Sequence, residues 1–167
     1  MAKKEDLLRA IRKAMQGEQD SVILYETAAE HSPEQEVKDF FLNRGREERR
    51  HYSYLSHYYK EIEHDRTPTT LDEIDIAAAN LHPIFSDEFI RRIGEDQYLF
   101  SAISTALLLE KDAFEHYRKC AEMAHNLTLQ AFFGLMEGWE MKHYDELLRI
   151  QKDAELIHWE KNDFEPF

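Results

Sequence analysis

Hydrophobic residues recur at helical spacing through the first third of the chain. Over residues 4–31 they fall three or four positions apart, which predicts a long amphipathic helix. Its inner face would carry Leu7, Leu8, Ile11, Ala14, Met15, Val22, Tyr25 and Ala29. The same spacing predicts a second helix over about 33–62, which would begin with Ser32 as N-cap, Pro33 at the first helical position and Gln35 in a capping box. Because the connection is so short, we expect the two helices to be antiparallel.

An irregular segment follows over residues 63–95. It contains two prolines and little helical periodicity, which indicates a crossover between two parts of the fold. A short helix is predicted at about 71–80, with Thr70 as its cap, and Ser86 is a candidate cap for a further short piece.

Helical spacing returns in the second half of the chain. It predicts long helices over about 96–125 and 126–159. Two hairpins of long helices joined by one long crossover are the mark of an all-α, ferritin-like four-helix bundle. Residues 1–167 are expected to form a single domain.

The composition agrees with a helical domain and narrows the choice of partner. Five glycines and four prolines are few for 167 residues. A net charge of −13 argues against a nucleic-acid partner and against an anionic membrane surface, because both require a basic face. The sequence has no apolar signal segment and no run of membrane-spanning length, so we expect a cytoplasmic protein. Its one cysteine, Cys120, is expected to be a buried apolar side chain.

The two predicted hairpins match each other in sequence at an offset of 92 residues. Each half reads Glu-x6-Tyr and then Glu-x2-His-Tyr, with 30 residues from the first glutamate to the second. The matching pairs are Glu18 and Glu110, Tyr25 and Tyr117, Glu48 and Glu140, His51 and His143, and Tyr52 and Tyr144. A duplicated helical hairpin explains this match better than chance does.

Six residues of this repeat fall on the predicted inner faces, namely Glu18, Glu48, His51, Glu110, Glu140 and His143. Each Glu-x2-His pair lies on one face of its helix, because residues three apart are neighbours. Four buried carboxylates are very unfavourable unless they are protonated, paired or bound to metal. Arg44 is the one nearby base expected on an inner face, and it cannot neutralise four acids. Two divalent cations can, and carboxylate and imidazole ligands suit iron or manganese.

The members of this set have different predicted roles. We expect Glu48 and Glu140 to bridge two iron ions, with manganese or a mixed centre as the alternative, and the other four ligands to be terminal. Which terminal glutamate shares a metal with which histidine stays open. Three roles stay open for Tyr25 and Tyr117: they fill core space, they serve in redox chemistry, or they assist catalysis through a hydrogen bond to a terminal glutamate.

The pattern resembles the rubrerythrin family within the ferritin-like di-iron superfamily. The resemblance covers about 4–159 and rests on Glu18, Glu48-x2-His51, Glu110 and Glu140-x2-His143. Two features differ from the family pattern. The sequence lacks the four cysteines of a rubredoxin-like domain, and Ala113 stands where rubrerythrins usually carry a further glutamate. The remaining six-residue set is similar to the symmetric ferroxidase centre of bacterioferritins.

The resemblance implies a non-haem di-iron oxidoreductase with two iron ions per chain. Its substrate would be O₂ or hydrogen peroxide, in protection against oxidative stress, and a separate electron-donor protein would reduce it. We expect a homodimer or a higher homo-oligomer. Two alternatives stay open: a ferroxidase that stores or transfers iron, and a non-enzymatic bundle that metal stabilises.

Overall fold

The chain folds into a bundle of α-helices in a computed structural model, which describes residues 4–72, 74 and 84–161. These residues form five helices: α1 (Lys4–His31), α2 (Gln35–Glu63), α3 (Asp87–Glu95), α4 (Gln97–Met123) and α5 (Leu127–Lys161). No strand occurs among the described residues. The all-α prediction is confirmed, and the four long helices lie within about two residues of their predicted bounds.

The helices pair as two hairpins. α1 packs along α2, α4 packs along α5, and the hairpins meet where α1 contacts α4. Three-residue connections, 32–34 and 124–126, make the helices of each hairpin antiparallel. The short helix α3 packs mainly against α5. The two helices come close together at Gly94, where a Cβ atom would lie 2.7 Å from the carbonyl oxygen of Ala154.

The start of α2 differs from the prediction. Glu34 is the N-cap residue rather than Ser32, and its side chain makes no capping hydrogen bond. The Ser32 hydroxyl donates instead to the carbonyl oxygen of Ala28, 2.7 Å away in the last turn of α1. The predicted capping box with Pro33 and Gln35 is therefore wrong, because the unpaired carbonyl groups at the end of α1 are within reach of Ser32.

The predicted elements of the crossover have different outcomes. The helix expected at about 71–80 lies outside the described residues except at positions 71, 72 and 74, which are not helical. The piece predicted after Ser86 is confirmed as α3, because the Ser86 Oγ accepts a hydrogen bond from the Phe89 N–H at 3.0 Å. Asp96 then caps α4 by accepting hydrogen bonds from two backbone N–H groups.

Two apolar clusters fill the core, one on each side of the middle of the bundle. One cluster includes Tyr25, Phe41, Ile103 and Leu147, and the other includes Ile11, Leu55, Tyr117 and Phe133. Along each long helix the clusters are separated by a short stretch that holds a buried polar residue. Cys120 is fully buried in the second cluster, as predicted. None of the described helices is long and apolar enough to cross a membrane.

Candidate metal centre

All four long helices bring acidic or imidazole side chains to the middle of the bundle. The six residues predicted from the repeat meet there, and none is more than 7% exposed: Glu18, Glu48, His51, Glu110, Glu140 and His143. The helices position them because each residue lies in line with the apolar residues that precede and follow it. The site is therefore closed above and below by the two apolar clusters.

The six side chains form two groups that share two members. Glu18, Glu48, His51 and Glu140 place ligand atoms within 4.8 Å of one another. Glu48, Glu110, Glu140 and His143 do the same. The structure thus groups Glu18 with His51 and Glu110 with His143, which is the pairing that the sequence left open.

Glu48 and Glu140 divide their oxygen atoms between the two groups. The Nδ1 atom of His51 lies 3.3 Å from Oε2 of Glu48 and 2.8 Å from Oε1 of Glu140. The Nδ1 atom of His143 lies 3.3 Å from the other oxygen of each carboxylate. Each shared carboxylate therefore offers one oxygen to each group, as a bridging ligand would.

The site leaves several buried polar atoms without hydrogen bonds. Within the described residues, they include Oε1 of Glu48, both carboxylate oxygens of Glu140, and Nδ1 of His51 and His143. Buried polar atoms without a partner are costly, so such a cluster requires an explanation. The lone pairs of these atoms converge on the two groups, and two cations would satisfy them. The oxygen and nitrogen donors, with no sulfur, fit iron or manganese.

In the metal-free protein, folding shifts the pKa values of the terminal and the shared glutamates in opposite directions. Burial and the charges of Glu48 and Glu140 raise the pKa of Glu18 and of Glu110. Burial is also the largest single influence on Glu48 and acts in the same direction, but the charge of His51 and the contacts with His143, His51 and Glu18 together outweigh it. They hold the pKa of Glu48 well below its usual range. Folding therefore favours the ionised form of the shared carboxylates and the protonated form of the terminal ones.

Both histidines favour their charged form in the same state. Burial alone would lower the pKa of His51, but the charges of Glu140 and Glu48 outweigh burial and raise it. Burial and the charge of Arg44 oppose the charged form of His143, whose pKa is nevertheless raised by its close contacts with the carboxylates of Glu110, Glu140 and Glu47. Metal ions would displace these protons, because a ligating imidazole must be neutral.

Each candidate tyrosine reaches the glutamate of the opposite hairpin. The hydroxyl of Tyr25 donates to Oε1 of Glu110, and the hydroxyl of Tyr117 donates to Oε1 of Glu18. Burial and the adjacent carboxylate raise the pKa of both phenols, so they remain donors. Of the three roles considered for these tyrosines, the structure shows both the place in the apolar core and the hydrogen bond. A part in redox chemistry or in catalysis stays a prediction.

A charged cluster beside His143 was not predicted from the sequence. Oε2 of Glu47 lies 3.1 Å from Nε2 of His143 and 2.9 Å from the Arg44 guanidinium, which also pairs with the buried Glu146. Burial opposes ionisation of Glu47, but the contacts with His143 and Arg44 lower its pKa to about 2. In the sequence, this cluster coincides with a difference between the two halves of the repeat, because Trp139 occupies the position equivalent to Glu47. A search for matching positions finds the six candidate ligands, but it cannot find a residue such as Glu47, which only one half of the repeat contains.

Comparison with known families agrees with the resemblance inferred from the residues. The family model described as Rubrerythrin matches residues 7–151, a range that contains all six candidate ligands. No curated protein and no solved structure matches the chain.

Proposed function

Because the chain belongs to the rubrerythrin family, we propose that it is a cytoplasmic di-iron protein that reduces O₂ or hydrogen peroxide. The observation that carries the proposal is the pair of four-residue groups that share Glu48 and Glu140. Iron held by these residues would supply one electron per ion, so that one hydrogen peroxide and two protons would give two waters, or one O₂ and two protons would give one hydrogen peroxide. A separate electron-donor protein would return both electrons.

The chain's own residues hold and enclose this centre. Glu48 and Glu140 offer one oxygen to each half and would thereby hold two cations. Tyr25 and Tyr117 orient the terminal glutamates through their hydrogen bonds, and we assign them this assisting part in the reaction. The apolar clusters on both sides exclude bulk water, which strengthens the electrostatic interactions inside the site.

The direct test is to load the protein with ferrous iron in the absence of oxygen and then to add hydrogen peroxide. Two irons per chain should be oxidised, with the appearance of near-ultraviolet ferric absorbance. The matched control is the double variant Glu48→Gln, Glu140→Gln, which keeps the side-chain shape and removes the two shared charges. A protein that binds iron but shows no faster oxidation than this variant would contradict the proposed redox function and favour the non-enzymatic bundle.

A ferroxidase that stores or transfers iron is the second candidate. It is favoured by the symmetry of the two groups, each with one glutamate and one histidine of its own. Ala113 adds no further carboxylate to the Glu110 side. The two functions differ in assembly and in capacity. A large assembly that takes up many irons per chain supports storage, whereas a homodimer or other small oligomer that retains two irons per chain supports the redox enzyme.

A further inference from the structure

The two halves of the candidate centre have matching ligands but different surroundings. At the offset of 92 residues, Arg44 corresponds to Met136, Glu47 to Trp139 and Glu146 to Tyr54. Three charged side chains thus lie beside His143, and three uncharged ones occupy the equivalent positions near His51. If one hairpin was duplicated, both halves began with the same residues at these three positions. The difference in charge between them was therefore acquired after the duplication.

On the His143 side, a carboxylate holds the ring. Nε2 of His143 faces Oε2 of Glu47 at 3.1 Å, while Nδ1 faces the shared carboxylates. Arg44 holds Glu47 from the other side at 2.9 Å and also pairs with Glu146. The three side chains carry one net negative charge. This charge favours a cation nearby, and a carboxylate on the distal nitrogen of a ligating histidine fixes the ring and makes it a stronger ligand.

On the His51 side, an aromatic ring replaces that carboxylate. The indole of Trp139 stacks on the His51 imidazole, with ring centroids 5.2 Å apart and an angle of 4° between the planes. The indole nitrogen is buried and makes no hydrogen bond within the part of the chain that the structure describes. Stacking restrains the plane of His51, but indole has no acceptor for an imidazole N–H and brings no charge.

We infer that Glu47 is a positioning residue that makes the two metal subsites unequal, so that the subsite of Glu110 and His143 binds its ion more tightly and fills first. The inference rests on the proposed metal centre and deepens it. The expected difference between the subsites is about 10- to 100-fold in affinity, the range in which such a carboxylate acts on a ligating histidine.

Titration of the metal-free protein with Co²⁺, followed by visible absorbance and calorimetry, tests the inference without any turnover. The wild type should bind two ions in two resolved steps. Glu47→Gln should weaken the first step by about 10- to 100-fold and merge it with the second. Glu26→Gln is the matched control, because Glu26 also pairs with an arginine, Arg49 at 2.6 Å, but contacts neither histidine. It should leave both steps unchanged.

Two further variants identify which half each step belongs to. His143→Ala should abolish the tight step, and His51→Ala should abolish the weak one. The inference is overturned if the wild type binds two ions with equal affinity, if Glu47→Gln shifts both steps alike or neither, or if His51→Ala removes the tight step. Each of these results leaves the proposed function standing. If the wild type bound no ion, the result would contradict the proposed metal centre and therefore the inference as well.

Discussion

Tyr25 in α1 donates a hydrogen bond to Glu110 in α4, and the equivalent Tyr117 in α4 donates to Glu18 in α1. Each hairpin thus supplies the donor for the terminal carboxylate of the other. All four side chains are almost completely buried. Loss of either phenol would leave a buried carboxylate oxygen without its donor, so the two bonds stabilise both the contact between the hairpins and the candidate metal centre.

Replacing either tyrosine by phenylalanine should therefore destabilise the protein. We expect Tyr25→Phe and Tyr117→Phe each to lower the free energy of unfolding by about 1–3 kcal/mol, the cost of leaving a buried hydrogen-bond acceptor unpaired. Urea denaturation of the metal-free protein measures this. Tyr52→Phe is the control, because Tyr52 is 37% exposed. Equal stability of the two buried variants and the control would contradict the structural role.

The ion pair between Arg44 and Glu146 crosses from α2 to α5 beside the centre, and both side chains are buried. Arg44→Met alone should cost about 3–5 kcal/mol, because it leaves the Glu146 charge buried without its partner. The double variant Arg44→Met, Glu146→Leu should recover most of that loss. A double-mutant cycle in urea measures the coupling, and two additive losses would show that the pair does not act as a unit.

The stability of the metal-free protein should fall as the pH rises above about 6.5, the ordinary pKa of histidine. The pKa values of His51, His143, Glu18 and Glu110 are all raised by folding. The folded chain therefore binds more protons than the unfolded chain in this range, and its advantage disappears as those protons dissociate. The lowered pKa of Glu48 gives the opposite slope only in acid, below about 4.5.

Urea denaturation at several pH values between 6 and 9 tests this sign, and the metal-loaded protein is the comparison. Bound cations replace the protons, so its stability should depend much less on pH over the same interval. Metal binding near neutral pH should also release protons, which an indicator dye in weak buffer detects. Stability of the metal-free protein that rises from pH 7 to pH 9 would contradict the assigned protonation.

The contact of α3 with α5 depends on Gly94. A Cβ atom there would meet the Ala154 carbonyl oxygen and the Ile157 Cβ at 2.7 Å, and the backbone oxygen cannot easily move away. Gly94→Ala should cost about 1–3 kcal/mol through this overpacking. At Gly134 in α5, a Cβ atom would meet nothing within 4 Å, so Gly134→Ala should stabilise the protein by about 0.5–1 kcal/mol. Thermal denaturation of both variants distinguishes the two effects, and an unchanged or raised melting temperature of Gly94→Ala would contradict the close contact.

Helical spacing and the internal repeat were sufficient to predict most of the architecture and all six residues that meet in the centre. Both signals are periodic, and periodicity fixes which residues share a helical face. Contacts made by single residues across helices were not predictable. Ser32 could cap the start of α2 or donate to a carbonyl group at the end of α1, and the geometry of the turn decides between the two. The contact of Glu47 with His143 depends on how closely α2 and α5 approach. The partners of Tyr25 and Tyr117 likewise follow from packing, which the repeat alone does not specify.

The most direct test of the account is a count of metal ions per chain. The wild type should be loaded with ferrous iron in the absence of oxygen, desalted and analysed by elemental mass spectrometry beside the variant Glu48→Gln, Glu140→Gln. The two overlapping groups predict two irons per wild-type chain, and loss of both shared ligands predicts almost none in the variant, with the helical circular dichroism preserved. A wild type without bound iron, or a variant that retains two irons, would contradict the assignment of the centre.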